Sequence, residues 1–243
     1  MRQPPASRPV GYQRWNHLLF LHWQVEACEI QATLPSGLTV DLHEGAAYLG
    51  IVPFFMQRIR PAFLPPVPWL SWFLELNVRT YVHDAADRPG VWFYSLDCNQ
   101  ALAVTLAHQF FHLPYFRSRM SACRAGDTVD YRSQRREEPG PPARYLWTPH
   151  GAAKEAEPGS LEFFLAERYA LFCAAPSGQL YEGRVHHAPY RLRETQVQEW
   201  SLQPASMAGF QLSYPPCSAL AADYVDVAIH SLVPIASAGD TPT

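Results

Sequence analysis

The sequence predicts a mainly β domain, with a few helices, whose strands form a barrel-like sheet. Three observations lead there. Residues 74–82 alternate without a break: Leu74, Leu76, Val78, Thr80 and Val82 on one side, Glu75, Asn77, Arg79 and Tyr81 on the other. Strict period two with β-branched and aromatic residues marks a strand. Ten or more stretches of strand character stand against two or three of helical character, which places the chain among sheet-based folds. Finally, the apolar side of residues 74–82 needs a packing layer, and the other side carries an acid, an amide, a guanidinium and a phenol in one row. A strand covered on both faces suits a barrel better than an open sheet.

In chain order, residues 1–12 read as a loose tail, followed by one domain over 13–235 and a C-terminal tail over 236–243. Residues 15–25 (WNHLLFLHWQV) form an apolar, aromatic strand. Residues 26–33 suit a short helix that Pro35 and Gly37 stop. Residues 39–42 and 46–56 read as a hairpin turning at His43-Glu44-Gly45, and 58–73 as a Pro-rich aromatic connector. Proline removes backbone donors, so 61–73 does not sit inside a sheet. It is expected to be partly exposed, as a pocket mouth or a subunit contact. Residues 100–111 have helical spacing. Strands follow at 116–122, 128–135 and 144–148, with a loop over 137–143. Ser160 is positioned to N-cap a helix, and further strands are expected at 169–174, 180–187, 190–200 and 224–233.

Residues 74–82 and 91–97 make an antiparallel hairpin, joined by a turn-rich segment ending in Pro89-Gly90. The loop is too long to fix the register. In one register Asp97 and Ser95 share the face of Glu75 and Arg79; in the neighbouring one Trp92 and Tyr94 do.

Composition excludes several classes. Hydrophobic residues make up 48% of the chain and charged residues 17%, against about a quarter in an average domain. With a net charge of -3 and no basic patch, no nucleic-acid partner is expected. No apolar run approaches the ~20 residues of a membrane span. Five scattered cysteines without a CxxC, and a polar, Pro-rich start in place of a signal peptide, point to free thiols in the cytoplasm. Lys154 is the only lysine, so the other 18 of the 19 basic residues are arginines.

Several blocks carry a likeness when taken together: Phe20-Leu21-His22-Trp23, Leu34-Pro35, Ala47-Tyr48-Leu49-Gly50-Ile51-Val52-Pro53-Phe54, Glu75-Leu76-Asn77-Val78-Arg79-Thr80-Tyr81-Val82, Ser95-Leu96-Asp97, Leu113-Pro114-Tyr115, Tyr131-Arg132-Ser133-Gln134-Arg135 and Phe164-Leu165-Ala166-Glu167-Arg168-Tyr169. The chain resembles the YqjF-like family of the acetoacetate decarboxylase-like superfamily. The resemblance implies an antiparallel β-barrel-like fold with an internal cavity. It turns the Glu75 row inward and sets Glu75 near the place of a decarboxylase glutamate. It also exposes a departure. The decarboxylase uses a lysine after a proline to form a Schiff base, and the similar place here reads Pro114-Tyr115. Lys154 sits in a polar stretch expected to be an exposed loop, so lysine Schiff-base chemistry is not expected.

The remaining candidates are weaker. His108 and His112 are spaced to share a helix face, but no third ligand stands out, so no metal and no cofactor are expected. Glu167-Arg168 reads as an ion pair or a pocket wall. The expected site is therefore Glu75 and Tyr115 for acid/base chemistry, with Asn77, Arg79, Tyr81, Asp97 and Arg135 for binding. Its partner would be a small organic molecule bearing a carboxylate or an enolisable group, which the planar fork of Arg79 suits. Two other readings remain open. One is a non-catalytic ligand-binding module. The other is a structural or interaction protein, with residues 63–73 as a homo-oligomer contact, in which Glu75 and Arg79 close a buried network.

Overall fold

The computed structural model describes residues 3–101, 112–138 and 140–235. Its strands are β1 (Gly11–Val25), β2 (Leu38–Val40), β3 (Ala47–Pro61), β4 (Phe73–Asp84), β5 (Pro89–Cys98), β6 (Tyr115–Ala125), β7 (Thr128–Arg135), β8 (Ala143–Lys154), β9 (Ala170–Ala174), β10 (Leu180–His187), β11 (Leu192–Glu199), β12 (Ser218–Ile229) and β13 (Val233–Pro234). Among the described residues, three short helices interrupt them: α1 (Ala27–Gln31), α2 (Leu161–Ala166) and α3 (Gln203–Met207). The Ser160 hydroxyl caps α2 by accepting from the Phe163 N–H. The helix expected over 100–111 falls almost wholly outside the described residues.

The sheet curls back on itself. Its order is β13-β10-β9-β5-β6-β7-β8-β11-β12-β1-β3-β4-β2, with further pairings β10–β12 and β4–β5. The pairings therefore trace two barrel-like halves that share a wall of β12, β1, β3, β4 and β5. Strands β6, β7, β8 and β11 complete one half; β9 and β10 complete the other. Most pairs are antiparallel, but β5 runs parallel to both β6 and β9. Each of these neighbours is reached through a long connection, as parallel pairing requires.

The shared wall explains the unbroken apolar run in β1. Leu19, Leu21 and Trp23 point into the first half with Ile51, Leu76 and Val78. Leu18 and Phe20 point into the second with Val52, Phe54 and Phe73. A strand buried on both faces has no side left for polar residues. His17, at φ 47, sits in the bulge where the β1–β3 register shifts.

Two sequence expectations change. Residues 39–42 do not form a hairpin with 46–56: β2 pairs with β4 instead, and only an isolated His43–Ala46 bridge links the local segments. Lys154 ends β8 rather than lying in a loop, and it is exposed. Segment 61–73 is partly exposed, with Phe63 at 84% and Trp69 at 74%.

Candidate functional site

The second half encloses a cavity of about 590 Å³. Glu75, Asn77 and Arg79 form a polar row along its wall, all buried. The row's neighbours are set by register. On β3, Phe54, Val52 and Gly50 lie opposite Glu75, Asn77 and Arg79; on β5, Cys98, Leu96 and Phe93 do. A polar stripe thus runs between apolar walls. Leu64, Val67 and Leu70, from the 61–73 segment, line the same cavity. The first two are exposed, which places the mouth there.

Glu75 occupies the end of the row nearer the mouth. The Tyr115 hydroxyl donates to Glu75 Oε2 at 2.8 Å. Burial disfavours the charged carboxylate and raises its pKa to about 7, against the smaller opposing pull of the Tyr115 hydrogen bond. Burial also raises Tyr115, and the nearby Glu75 adds to the effect. Tyr115 thus remains a donor at neutral pH.

Arg79 occupies the other end. Its NH2 group donates to the Leu165 carbonyl at 3.1 Å and to Tyr81 Oη at 3.3 Å. Among the described residues, its Nε finds no hydrogen-bond partner, and neither does Asn77 Oδ1. Among the described residues, Arg79 makes no salt bridge. The Glu75–Arg79 network considered from sequence does not form. Four residues along a strand separate the two Cα atoms by roughly 13 Å, and Arg79 is held from the side away from Glu75.

Tyr81 continues the row but stops short of the cavity. Its hydroxyl donates to the Leu165 carbonyl at 2.7 Å and lies 2.6 Å from His22 Nε2. Because Tyr81 already donates, His22 must donate through Nε2. Burial, then the Arg79 charge, depress the His22 pKa well below its usual value, so the ring is neutral. Tyr81, expected among the binding residues, therefore braces Arg79 and the α2 end and is not part of the cavity lining.

Asp97 and Arg135, expected in the pocket, lie on the opposite face. Asp97 pairs across from Leu76, whose side chain belongs to the first half. Arg135 Nε donates to Asp97 Oδ1 at 2.7 Å, and the Arg135 guanidinium stacks 3.9 Å from the Phe116 ring centroid. Neither register considered from sequence is adopted. The pairing jumps from Val78–Ser95 to Arg79–Phe93, so Tyr94 is bulged out and Phe93 turns toward Arg79. One extra residue reverses the facing of everything beyond it.

Several residues of the site escaped sequence reasoning. Gly50, His22 and Arg79 lie in one row across β3, β1 and β4. A Cβ on Gly50 would sit 3.1 Å from His22 Cδ2 and 3.5 Å from Arg79 Cγ, so glycine leaves the room both side chains use. Gly50→Ala is expected to displace His22 and Arg79 and to cost about 1–3 kcal/mol, measurable by urea denaturation; an unchanged midpoint would contradict the crowding. Arg168, read from sequence together with Glu167 as an ion pair or a pocket wall, lines the cavity and pairs with Asp41, its Nη1 donating to Oδ2 at 2.6 Å. Glu167 accepts from the Tyr190 backbone N–H at 2.9 Å and from the Tyr169 hydroxyl. Tyr190 also lines the cavity.

His108 lies outside the described residues, so the proposed histidine pair has no structural account. His112 packs its ring 5.6 Å from that of Tyr181. Among the described residues, no group of three or more His, Cys, Asp or Glu is placed to hold a metal, and no helix is long and apolar enough to cross a membrane. Lys154 does not line the cavity.

Comparisons with known proteins agree with this architecture. The profile of DUF2071, described as an uncharacterized conserved protein, matches residues 12–226. The uncharacterized protein YqjF of Bacillus subtilis (strain 168) is 38% identical over 201 residues, covering 81% of this chain and 82% of YqjF. Among solved structures, an acetoacetate decarboxylase-like enzyme from Sphingomonas wittichii RW1 superposes with a TM-score of 0.63 at 13% identity, covering 95% of each chain. The enduracididine biosynthesis enzyme MppR complexed with pyruvate gives 0.65 at 12% identity, covering 95% of this chain and 92% of its own. The acetoacetate decarboxylase of Legionella pneumophila gives 0.62 at 12% identity, covering 97% and 92%. At these identities the likeness speaks to the fold alone. The chain belongs to the DUF2071 family and has an acetoacetate decarboxylase-like fold.

Proposed function

We propose that the cavity binds a carboxylate-bearing organic molecule, with Arg79 as its anchor and Glu75, assisted by Tyr115, as a proton-transfer group. The observation that carries this reading is Arg79 itself: a buried guanidinium at a cavity wall, without a salt bridge among the described residues and with Nε unpaired. Burying a cation without an anion is costly, and a ligand carboxylate supplies the missing charge in the geometry a guanidinium prefers. Glu75 supports the second half. A carboxyl group with a pKa of about 7 is matched to giving or taking a proton near neutral pH. The pyruvate complex of MppR is a precedent for a carboxylate ligand on this fold.

The test is calorimetric titration of the protein with a series of monocarboxylates and their primary amides. Saturable binding of a carboxylate, but not of its amide, is expected. Arg79→Met should weaken it at least about tenfold, the scale of losing one charge-assisted pair. Equal affinity for acid and amide, or an unaffected Arg79→Met variant, would defeat the reading.

The chemistry does not pass through a lysine. Lys154 is exposed and lines no part of the cavity. Borohydride reduction in the presence of acetoacetate is expected to leave no stoichiometric lysine adduct by peptide mass mapping. An adduct on Lys154, lost together with decarboxylation in Lys154→Ala, would contradict this.

A further inference from the structure

The row has two polar centres, too far apart for one small acid to use both. Glu75 and Arg79 stand two strand steps apart, roughly 13 Å between Cα atoms. Arg79 also turns away from Glu75. Arg79 is drawn toward Leu165 and Tyr81, whereas Glu75 is held by Tyr115 from β6. Between them Asn77, 5% exposed, presents an Oδ1 without a hydrogen-bond partner among the described residues. Buried polar atoms are seldom left unpaired, so this oxygen marks a place for a donor. Beyond Glu75 the same face ends at Phe73, where β4 begins, and Leu70 and Val67 of the preceding segment carry the cavity lining on to the mouth.

The volume agrees. A cavity of about 590 Å³ lies in the range of sites for drug-sized ligands, and at about 30 Å³ per water it holds roughly twenty water-sized units. A ligand as small as pyruvate would leave most of the wall empty.

Resting on the carboxylate reading above, we infer that the ligand is an elongated carboxylic acid, its carboxylate on Arg79 and a hydroxyl or keto oxygen near Glu75 and Tyr115. Its apolar body lies along Val52, Phe54 and Leu96, and its far end points to the mouth. The two centres then serve one molecule: Arg79 fixes the head, and the Glu75–Tyr115 pair meets an oxygen several carbons away.

Calorimetry of the full chain with butanoate, decanoate, ω-hydroxydecanoate and 1-decanol tests this. Decanoate should bind at least about tenfold more tightly than butanoate, since each buried methylene contributes severalfold. ω-Hydroxydecanoate should bind more tightly than decanoate, and Glu75→Leu should abolish that preference. Decanol should bind at least about tenfold more weakly than decanoate. Butanoate matching decanoate, both dependent on Arg79, would overturn the elongated ligand while leaving the carboxylate reading intact. Decanol matching decanoate would overturn both. No gain from the ω-hydroxyl would remove the second centre from the proposal. The wild-type series decides these points even where a variant fails to fold.

Discussion

Asp97→Ala is expected to destabilise the protein by about 3–5 kcal/mol, the cost of leaving a buried partner charge alone. The Asp97 and Arg135 side chains are 5% and 8% exposed and joined at 2.7 Å. Burial pushes the Asp97 pKa up, and Arg135 and Ser133 pull it partly back. The balance shows how poorly this interior tolerates charge even when it is paired. Removing Asp97 leaves the Arg135 guanidinium pressed on Phe116 without a salt-bridge partner among the described residues. The double change Asp97→Leu with Arg135→Met should recover most of the loss, because it removes both ions together. Urea denaturation of the single and double variants measures this. A double variant as unstable as the single one would show that packing, not a stranded charge, sets the cost.

Glu75→Gln should change the pH dependence of stability. The Glu75 pKa is 4.5 unperturbed and about 7 in the fold. The folded chain therefore holds a proton that the unfolded chain has lost between those values. Stability from this group is full below pH 4.5, falls as pH rises through 4.5 to about 7, and is level above that. At about 1.4 kcal/mol per pH unit, the loss is about 3 kcal/mol. Gln cannot ionise and can still accept from Tyr115, so the variant should lack this slope and be about 3 kcal/mol more stable than wild type at pH 8. Parallel curves for the two proteins from pH 4 to 8 would mean that Glu75 titrates normally.

The sequence made some of this arrangement legible, for identifiable reasons. The shared face of Glu75, Asn77 and Arg79 follows from strand period alone, because β4 keeps its alternation over 74–82. The facing of Asp97 does not, because one bulged residue, Tyr94, reverses β5 relative to β4 and leaves no mark in composition. Tyr81 shares the face of Arg79, yet the α2 carbonyl of Leu165 takes its hydroxyl. A period can say which side a residue takes, but not where along that side a cavity ends. Gly50 and His22 depend on the alignment of three strands, which only the folded register supplies. The hairpin expected between 39–42 and 46–56 does not form because β4 lies between the two segments in the sheet, pairing with β3 on one side and β2 on the other. The supposed Glu75–Arg79 pair failed on distance: on a strand, four residues is too far for a direct contact.

The most direct test of the binding site is a crystal structure of the protein with a carboxylic acid that calorimetry shows to bind. The ligand carboxylate should lie within about 3 Å of the Arg79 guanidinium, with the body of the molecule running past Asn77 toward Glu75. A ligand seated outside the cavity, or one inside it that leaves Arg79 bonded only to Leu165 and Tyr81, would contradict the role assigned to Arg79.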